Sequence, residues 1–315
     1  MIDLGFWGKL KKPIFVLAPM ADVTDCVFRE IIAKYGKPDV FWTEFVSADG
    51  LAHPEAREKL LIDLKFDKGE HPIVAQIFGS NVENIRTASM LCKDLGFDGI
   101  DINMGCPDKS IEKQSCGAAM IKNPELAKEI IRATKEAGLP VSVKTRIGYN
   151  KNEIETWIRA ILEEDVAVLT VHLRTRKEMS KVPAHWEVMP EIVKFIDANT
   201  TPETRPLILG NGDIMNIQES KKMVEQTNCD GVMLGRAIFG NPWLFTGAHE
   251  GEQPAPPSLE KRLEVLLEHT KLYEEYFSGT KAFDVMKRHF KAYVAGFDGA
   301  AELRAQMFET KSASD

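Results

Sequence analysis

Eight short apolar runs, nearly all followed by a stretch of helical periodicity, constrain this chain more than any other feature. They cover residues 14–18, 40–45, 72–78, 100–103, 140–144, 167–171, 206–210 and 231–235. Runs that are continuously apolar, rather than alternating, belong to strands buried on both faces, as in a parallel sheet coated by helices. Between them, apolar residues recur at helical spacing over 25–34, 81–95, 153–164, 186–198 and 217–226, and a further helix starts at Asn123-Pro124 and stops at Gly138. Asn81 and Asn123 stand where N-caps are needed, Pro124 suits a first helical position, and Gly36 and Gly96 suit stops. Eight strand–helix units in roughly 240 residues match the size of a (β/α)8 TIM barrel. A doubly wound open sheet fits less well, because no GxGxxG follows the first strand.

The pattern then changes. Gly251, Pro254, Pro256 and Pro257 make residues 247–258 read as a linker, and 259–277, 282–293 and 300–309 read as helices without strands. The expected organisation is α/β: a barrel over 1–246, a linker over 247–258 and a small C-terminal all-helical domain over 259–315.

Composition excludes several classes. No run of about 18 apolar residues exists and residues 1–12 lack the apolar core of a signal peptide, so a cytoplasmic protein is expected. The five cysteines are scattered without a CxxC pair, which predicts neither a disulfide framework nor a metal site. A net charge of −7 does not announce a nucleic-acid binder, so any RNA must meet locally clustered basic residues. No obligate protein partner is evident.

In a barrel the chemistry sits at the carboxyl ends of the strands. Those ends here carry Pro19-Met20-Ala21, Gln76, Asn103 with Cys106, Lys144 with Arg146, His172, Asn211-Gly212-Asp213 and Gly235-Arg236. The last two groups follow strands seven and eight, where barrels commonly hold a phosphate; their glycines let backbone N–H groups approach an anion, and Arg236 adds a bidentate donor. Lys144 ends an apolar strand and reads either as a fixed cation facing the site, which beside a flavin would stabilise the negative charge of the reduced ring, or as a lysine reaching solvent at a strand end. Gln76 offers an amide that both donates and accepts, as a flavin's uracil-like edge requires. His172 reads as a cofactor contact or a satisfied core histidine. The Cys106 thiol, stiffened by Pro107, can serve as a nucleophile or as a general acid. Cys116 reads as a small packing residue, with a Cys106–Cys116 redox pair as the alternative.

Together these stretches resemble the tRNA-dihydrouridine synthases. The likeness runs through Ala18-Pro19-Met20-Ala21, Gln76-Ile77-Phe78-Gly79, Asp101-Ile102-Asn103-Met104-Gly105-Cys106-Pro107, Val143-Lys144-Thr145-Arg146-Ile147-Gly148, Gly210-Asn211-Gly212-Asp213 and Gly235-Arg236-Ala237, and through Lys287-Arg288-His289-Phe290 in the tail. It implies reduction of the C5–C6 bond of a tRNA uridine, with tightly but non-covalently bound FMN reduced by NADPH. On that resemblance Cys106 gives the proton to C5. Pro19, Met20, Ala21, Gln76, Lys144, His172, Asn211, Gly212, Asp213, Gly235 and Arg236 hold FMN, and Asn103 and Arg146 face the uracil. Arg174, Arg176, Lys287 and Arg288 are expected on the tRNA surface. One stretch departs from the family pattern: Leu173 stands for a usual glycine, and residues 179–186 lack the usual tyrosine and aspartate. The alternatives are an FMN barrel acting on a free pyrimidine, resembling dihydroorotate dehydrogenase, and a catalytically impaired RNA-binding relative.

Overall fold

The fold is set by eight parallel strands, β1 (Ile14–Leu17), β2 (Phe41–Ser47), β3 (Ile73–Phe78), β4 (Gly99–Met104), β5 (Val141–Arg146), β6 (Val168–His172), β7 (Leu207–Asn211) and β8 (Gly231–Leu234). The computed structural model describes residues 2–251 and 254–315; residue 1 of the expected barrel domain and residues 252 and 253 of the expected linker lie outside the described residues. The strands hydrogen-bond in the order β1-β8-β7-β6-β5-β4-β3-β2. The two ends of that row meet: Val16 bridges Val40 in parallel, Asp39 N–H donates to the Phe15 carbonyl at 2.9 Å and Leu17 N–H to the Val40 carbonyl at 3.3 Å. The sheet therefore curls back on itself, as the eightfold pattern predicts.

Closure sorts side chains by a period of two. Ile14, Val16, Val40, Trp42, Val74, Val168, Leu207, Leu209 and Met233 form the inner core with Trp7. The alternate residues, among them Phe15, Ile100, Val143, Leu169 and Val232, pack outward in the larger core shared with the helices. Trp7, in a short 3₁₀ turn over Gly5–Lys9, plugs the amino-terminal mouth, its ring 5.5 Å from that of Trp42. Towards the carboxyl ends the same inward rows turn polar. Gln76, Asp101 and Ser142 share one register level; Asn103, Lys144 and Thr170 share the next; Arg146, His172 and Asn211 share the third. The apolar runs supply the floor, and the polar residues that end them supply the site.

The helices are α1 (Cys26–Tyr35), α2 (Ala48–Ala52), α3 (Pro54–Leu60), α4 (Val82–Asp94), α5 (Lys109–Glu112), α6 (Pro124–Lys135), α7 (Ile154–Leu162), α8 (Met189–Asn199), α9 (Ile217–Thr227), α10 (Leu259–Phe277), α11 (Met286–Tyr293) and α12 (Ala300–Glu309). Asp25, Asn81, Asn123, Asn216 and Ser258 accept backbone N–H bonds as N-caps. The expected helix over 186–198 starts as a 3₁₀ turn, and Pro190 falls in the first turn of α8, where its missing N–H breaks no hydrogen bond. Helices α2, α3 and α5 have no counterpart in the sequence pattern.

Helices α10 and α11 pack against α1, and α12 packs on α11. The Phe28 ring of α1 lies 4.9 Å from His269 of α10 and 4.5 Å from His289 of α11. Val265, Leu266, Tyr273, Phe277 and Phe290 join the same core cluster as the outer face of the barrel. Among the described residues no helix is long and apolar enough to cross a membrane.

Candidate active site

A run of buried amides rises from the barrel floor to the cysteine loop. Asp101, on β4, accepts from Ser142 Oγ at 2.5 Å and from Gln76 Nε2 at 2.6 Å. Gln76 Oε1 accepts from Asn103 Nδ2 at 3.0 Å, and Asn103 Oδ1 accepts from the N–H groups of Gly105 at 3.1 Å and Cys106 at 2.9 Å. Arg146 grips the same loop from the other side: its Nε donates to the Gly105 carbonyl at 2.7 Å and its Nη1 to the Met179 carbonyl at 2.9 Å. Arg146 is buried and ties the loop after β4 to the loop after β6.

Two titratable groups stand above this run. Burial is the main cause that pushes the half-buried Cys106 thiol above its ordinary range, over the opposing pull of Asp108 N–H, Lys144 and Arg146. The thiol is therefore protonated at neutral pH. Burial, with the neighbouring Arg146 charge, brings the Lys144 ammonium down to about 8, while Asp101 and Cys106 favour its charged form. Lys144 is thus a cation at pH 7. It has no hydrogen-bond or ion-pair partner among the described residues.

Beside them a cleft opens between the ends of β6, β7, β8 and β1, lined by Pro19, Met20, Lys144, His172, Asn211, Gly212, Asp213, Gly235 and Arg236. Arg174 and Arg236 both donate to the Asp213 carboxylate, which also accepts Ala184 N–H at 2.7 Å. Partial burial works against this carboxylate's ionisation, but those bonds hold its pKa below the usual range. Arg174 Nη1 also lies 3.0 Å from His172 Nε2. Burial and four surrounding cations hold His172 well below the ordinary imidazole range, so it is neutral. Since arginine only donates, Nε2 accepts and the ring proton resides on Nδ1. Asn211 Nδ2 donates to the Met233 carbonyl at 2.8 Å.

Two glycines are required by contact. Gly210 has the Trp186 ring where a Cβ would stand, 2.4 Å from its nearest atom; Gly212, at φ +135°, would drive a Cβ to 2.6 Å from Ala184 Cβ. Trp186 Nε1 also donates to the Gly212 carbonyl at 2.7 Å. The atypical stretch after β6 thus serves as a clamp on the loop after β7. Leu173 is wholly buried in the outer core and does not line the cleft.

All of the expected cofactor residues except Ala21 and Gln76 line this one cleft; Ala21 is exposed, and Gln76 is wholly buried with its amide bonded to Asp101 and Asn103. Asn103 and Arg146 flank Cys106. Arg174 is buried at the cleft wall, away from the surface where tRNA was expected to meet it. Arg176 pairs with Glu112, its Nε 2.8 Å from a carboxylate oxygen, and lies over the Tyr149 ring. In the tail, Lys287 pairs with Asp284 at 2.6 Å and Arg288 with Asp22 at 3.2 Å. Cys116 is buried and its thiol donates to the Gln114 carbonyl at 3.2 Å, which favours packing over a redox pair. Sequence reasoning missed Asp101, Ser142, Ser180 and Met233. A polar residue inside an otherwise apolar strand was the available signal for the first two.

A profile of the dihydrouridine synthases matches residues 16–315. The chain belongs to the dihydrouridine synthase family. Among curated members, the probable tRNA-dihydrouridine synthase 2 of Bacillus subtilis (strain 168) is 45% identical over 313 residues, covering 99% of this chain and 94% of that protein. A probable tRNA-dihydrouridine synthase of Staphylococcus aureus (strain Mu50) is 43% identical over the same length, covering 99% of this chain and 93% of that one. Among solved structures, a variant of NCR from Zymomonas mobilis superposes with a TM-score of 0.52 at 15% identity over 80% of this chain and 93% of its own. A 2-naphthoyl-CoA reductase complex gives 0.54 at 11% identity, over 76% of this chain and 50% of its own. These two likenesses are of fold.

Proposed function

We propose that this chain is a cytoplasmic flavin-dependent oxidoreductase that reduces the C5–C6 double bond of a uridine in tRNA, with FMN as the bound cofactor and NADPH as reductant. The observation that carries the reading is the placement of a protonated thiol, Cys106, beside an unpaired cation, Lys144, at the rim of a cleft suited to a phosphate-bearing ring system.

The cleft fits the flavin by its donors and its shape. Gly212, Asp213 and Gly235 leave backbone N–H groups without an acceptor among the described residues, and Arg236 stands beside them. A Cβ at Gly235 would enter the space between Ala18 and Met20, 3.5 Å from each. When bound, the flavin supplies the hydride delivered to C6. Lys144 supplies fixed positive charge next to it. Cys106 Sγ holds the proton destined for C5; the thiolate left behind is met by Asp108 N–H, Lys144 and Arg146, and solvent reprotonates it. Asn103 and Arg146 keep the thiol's loop in place and border the uracil. The burial-raised thiol pKa favours the acid over the nucleophile.

The target base must leave its stack to reach Cys106, so the surrounding rim grips RNA. The loops after β4, β5 and β6 meet there: Arg176 joins Glu112, and the N–H groups of Arg176 and Lys177 donate to the Gly148 and Tyr149 carbonyls, each at 2.9 Å. Lys109, Lys113, Lys151, Lys177 and Lys181 are exposed on these loops and form no ion pair among the described residues. They provide local positive charge on an acidic protein. Lys287 and Arg288 lie on the helical tail, read as a tRNA-binding unit over 259–315; the pair of Arg288 with Asp22 is exposed and weak enough to exchange for a phosphate, while Lys287 is only partly exposed.

Nucleoside mass spectrometry of tRNA from a strain lacking the gene, with and without rescue, tests the assignment. Rescue restores dihydrouridine; rescued tRNA without it, from a protein that is yellow when purified, overturns the substrate assignment.

A further inference from the structure

Asp101 has no solvent exposure and touches neither the cleft nor the thiol, yet it begins the amide run that ends at Cys106. Burial raises its pKa to about 6, so it remains mainly ionised at neutral pH and its oxygens only accept. That fixes Gln76. The amide must turn its NH₂ to Asp101, which leaves Oε1 towards Asn103. Asn103 in turn must present its NH₂ to Gln76 and its oxygen to the Gly105 and Cys106 N–H groups. An amide has two orientations of nearly equal shape, and only a neighbour with fixed polarity decides between them. Here that neighbour is the carboxylate, two side chains away from the loop it orders.

We propose that Asp101 is a positioning residue that, through Gln76 and Asn103, sets the orientation of the Gly105–Cys106 backbone and so the place of the Cys106 thiol. The inference rests on the reading of Cys106 as the proton donor. An independent strut remains when the run is broken, because Arg146 still holds the Gly105 carbonyl. Breaking it therefore loosens the loop without releasing it. In Asp101→Asn the polarity is no longer fixed: the new amide can face Gln76 with its oxygen, its NH₂ turned to the Ser142 hydroxyl, or with its NH₂, and in the second arrangement Gln76 turns its own NH₂ towards that of Asn103 and two donors face each other.

The test is the rate at which iodoacetamide modifies Cys106 in the purified apoprotein; the other four cysteines are buried, so one fast equivalent reports this thiol. Asp101→Asn raises that rate at least threefold, and Gln76→Met, which removes both amide bonds without adding charge, raises it similarly. The double variant adds nothing further, because the residues act in series. Turnover on tRNA falls tenfold or more in Asp101→Asn, and Asp101→Glu does not restore it, since the longer side chain displaces Gln76. Wild-type alkylation in both Asp101→Asn and Gln76→Met overturns the proposal. Should Asp101→Asn fail to fold, Gln76→Met alone decides by the same criterion. The alkylation readout needs neither flavin nor RNA, so it separates this relay from the activity itself.

Discussion

Arg174 donates to Asp213 across the gap between the loops after β6 and β7, and Arg236 reaches the same carboxylate from the loop after β8. Arg174 is 3% exposed and Asp213 32%. An acidic residue inside the proposed phosphate site organises cations that would otherwise repel one another.

Asp213→Ala should therefore weaken flavin binding although it removes a negative charge. It strands a buried guanidinium; breaking a fully buried pair costs about 3–5 kcal/mol, and the partial exposure of Asp213 reduces this. Titration of the apoprotein with FMN, followed by flavin fluorescence, should show affinity at least tenfold lower. Unchanged or tighter binding would mean that the carboxylate does not shape the cleft.

The Lys144 ammonium gives flavin binding a pH dependence of definite sign. Burial and the Arg146 charge bring the group down to about 8, and an anionic flavin would favour its charged form. Binding is strongest below that value and weakens as pH rises through it, because the proton must then be supplied from solvent. Lys144→Met should bind FMN weakly at every pH between 6.5 and 9 and lack the step near pH 8. A step that persists in the variant would assign it to another group.

The free lysines on the rim predict a salt-dependent RNA grip. Lys177→Glu with Lys181→Glu should weaken tRNA binding about tenfold or more and reduce the log–log salt slope by about 1 for each phosphate no longer neutralised. NADPH oxidation without tRNA should not change. Filter binding across a salt series makes the measurement; an unaltered slope would remove these loops from the RNA surface.

The architecture was largely legible because its signals are local. Eight continuous apolar runs, with Asn81, Asn123 and Gly36 at helix boundaries, define strands and helices without any long-range information. The cleft was legible too, since barrel geometry brings every strand end to one rim. Helix α2 escaped because five residues, Ala48–Ala52, are too few to show a helical period, and α3 because Pro54–Leu60 is mostly charged and buries no apolar face. Orientation was equally invisible. Nothing in the spacing of Gln76 shows that both ends of its amide are bonded to Asp101 and Asn103. Likewise, nothing in Val171-His172-Leu173-Arg174 shows that Arg174 turns inward to Asp213 while Leu173 turns into the outer core.

The seam between barrel and tail makes a separate prediction. His269 and His289 lie 4.6 Å apart against Phe28, and none of their ring nitrogens has a hydrogen-bond partner among the described residues. Burial holds His269 well below the ordinary value of 6.5 and takes His289 down to about 3. Both are neutral when folded, whereas the unfolded chain takes up protons below 6.5. Their contribution is present above that pH and is lost as pH falls towards 3. Relative to wild type, His289→Phe should gain about 1.4 kcal/mol per pH unit as pH drops below 6. Urea unfolding of both proteins at pH 7.5 and 5 measures the difference; a constant offset would mean that His289 does not titrate on unfolding.

The most direct measurement is reconstitution: unmodified tRNA transcript, FMN, NADPH and the purified protein, with dihydrouridine quantified by nucleoside mass spectrometry. Wild type should form dihydrouridine, and Cys106→Ala, still yellow and still binding tRNA, should form it on the order of 10²-fold more slowly, in the range of a lost general acid. A flavin-loaded wild type that oxidises NADPH yet leaves every uridine unreduced, or a Cys106→Ala protein that works at the wild-type rate, would contradict the account.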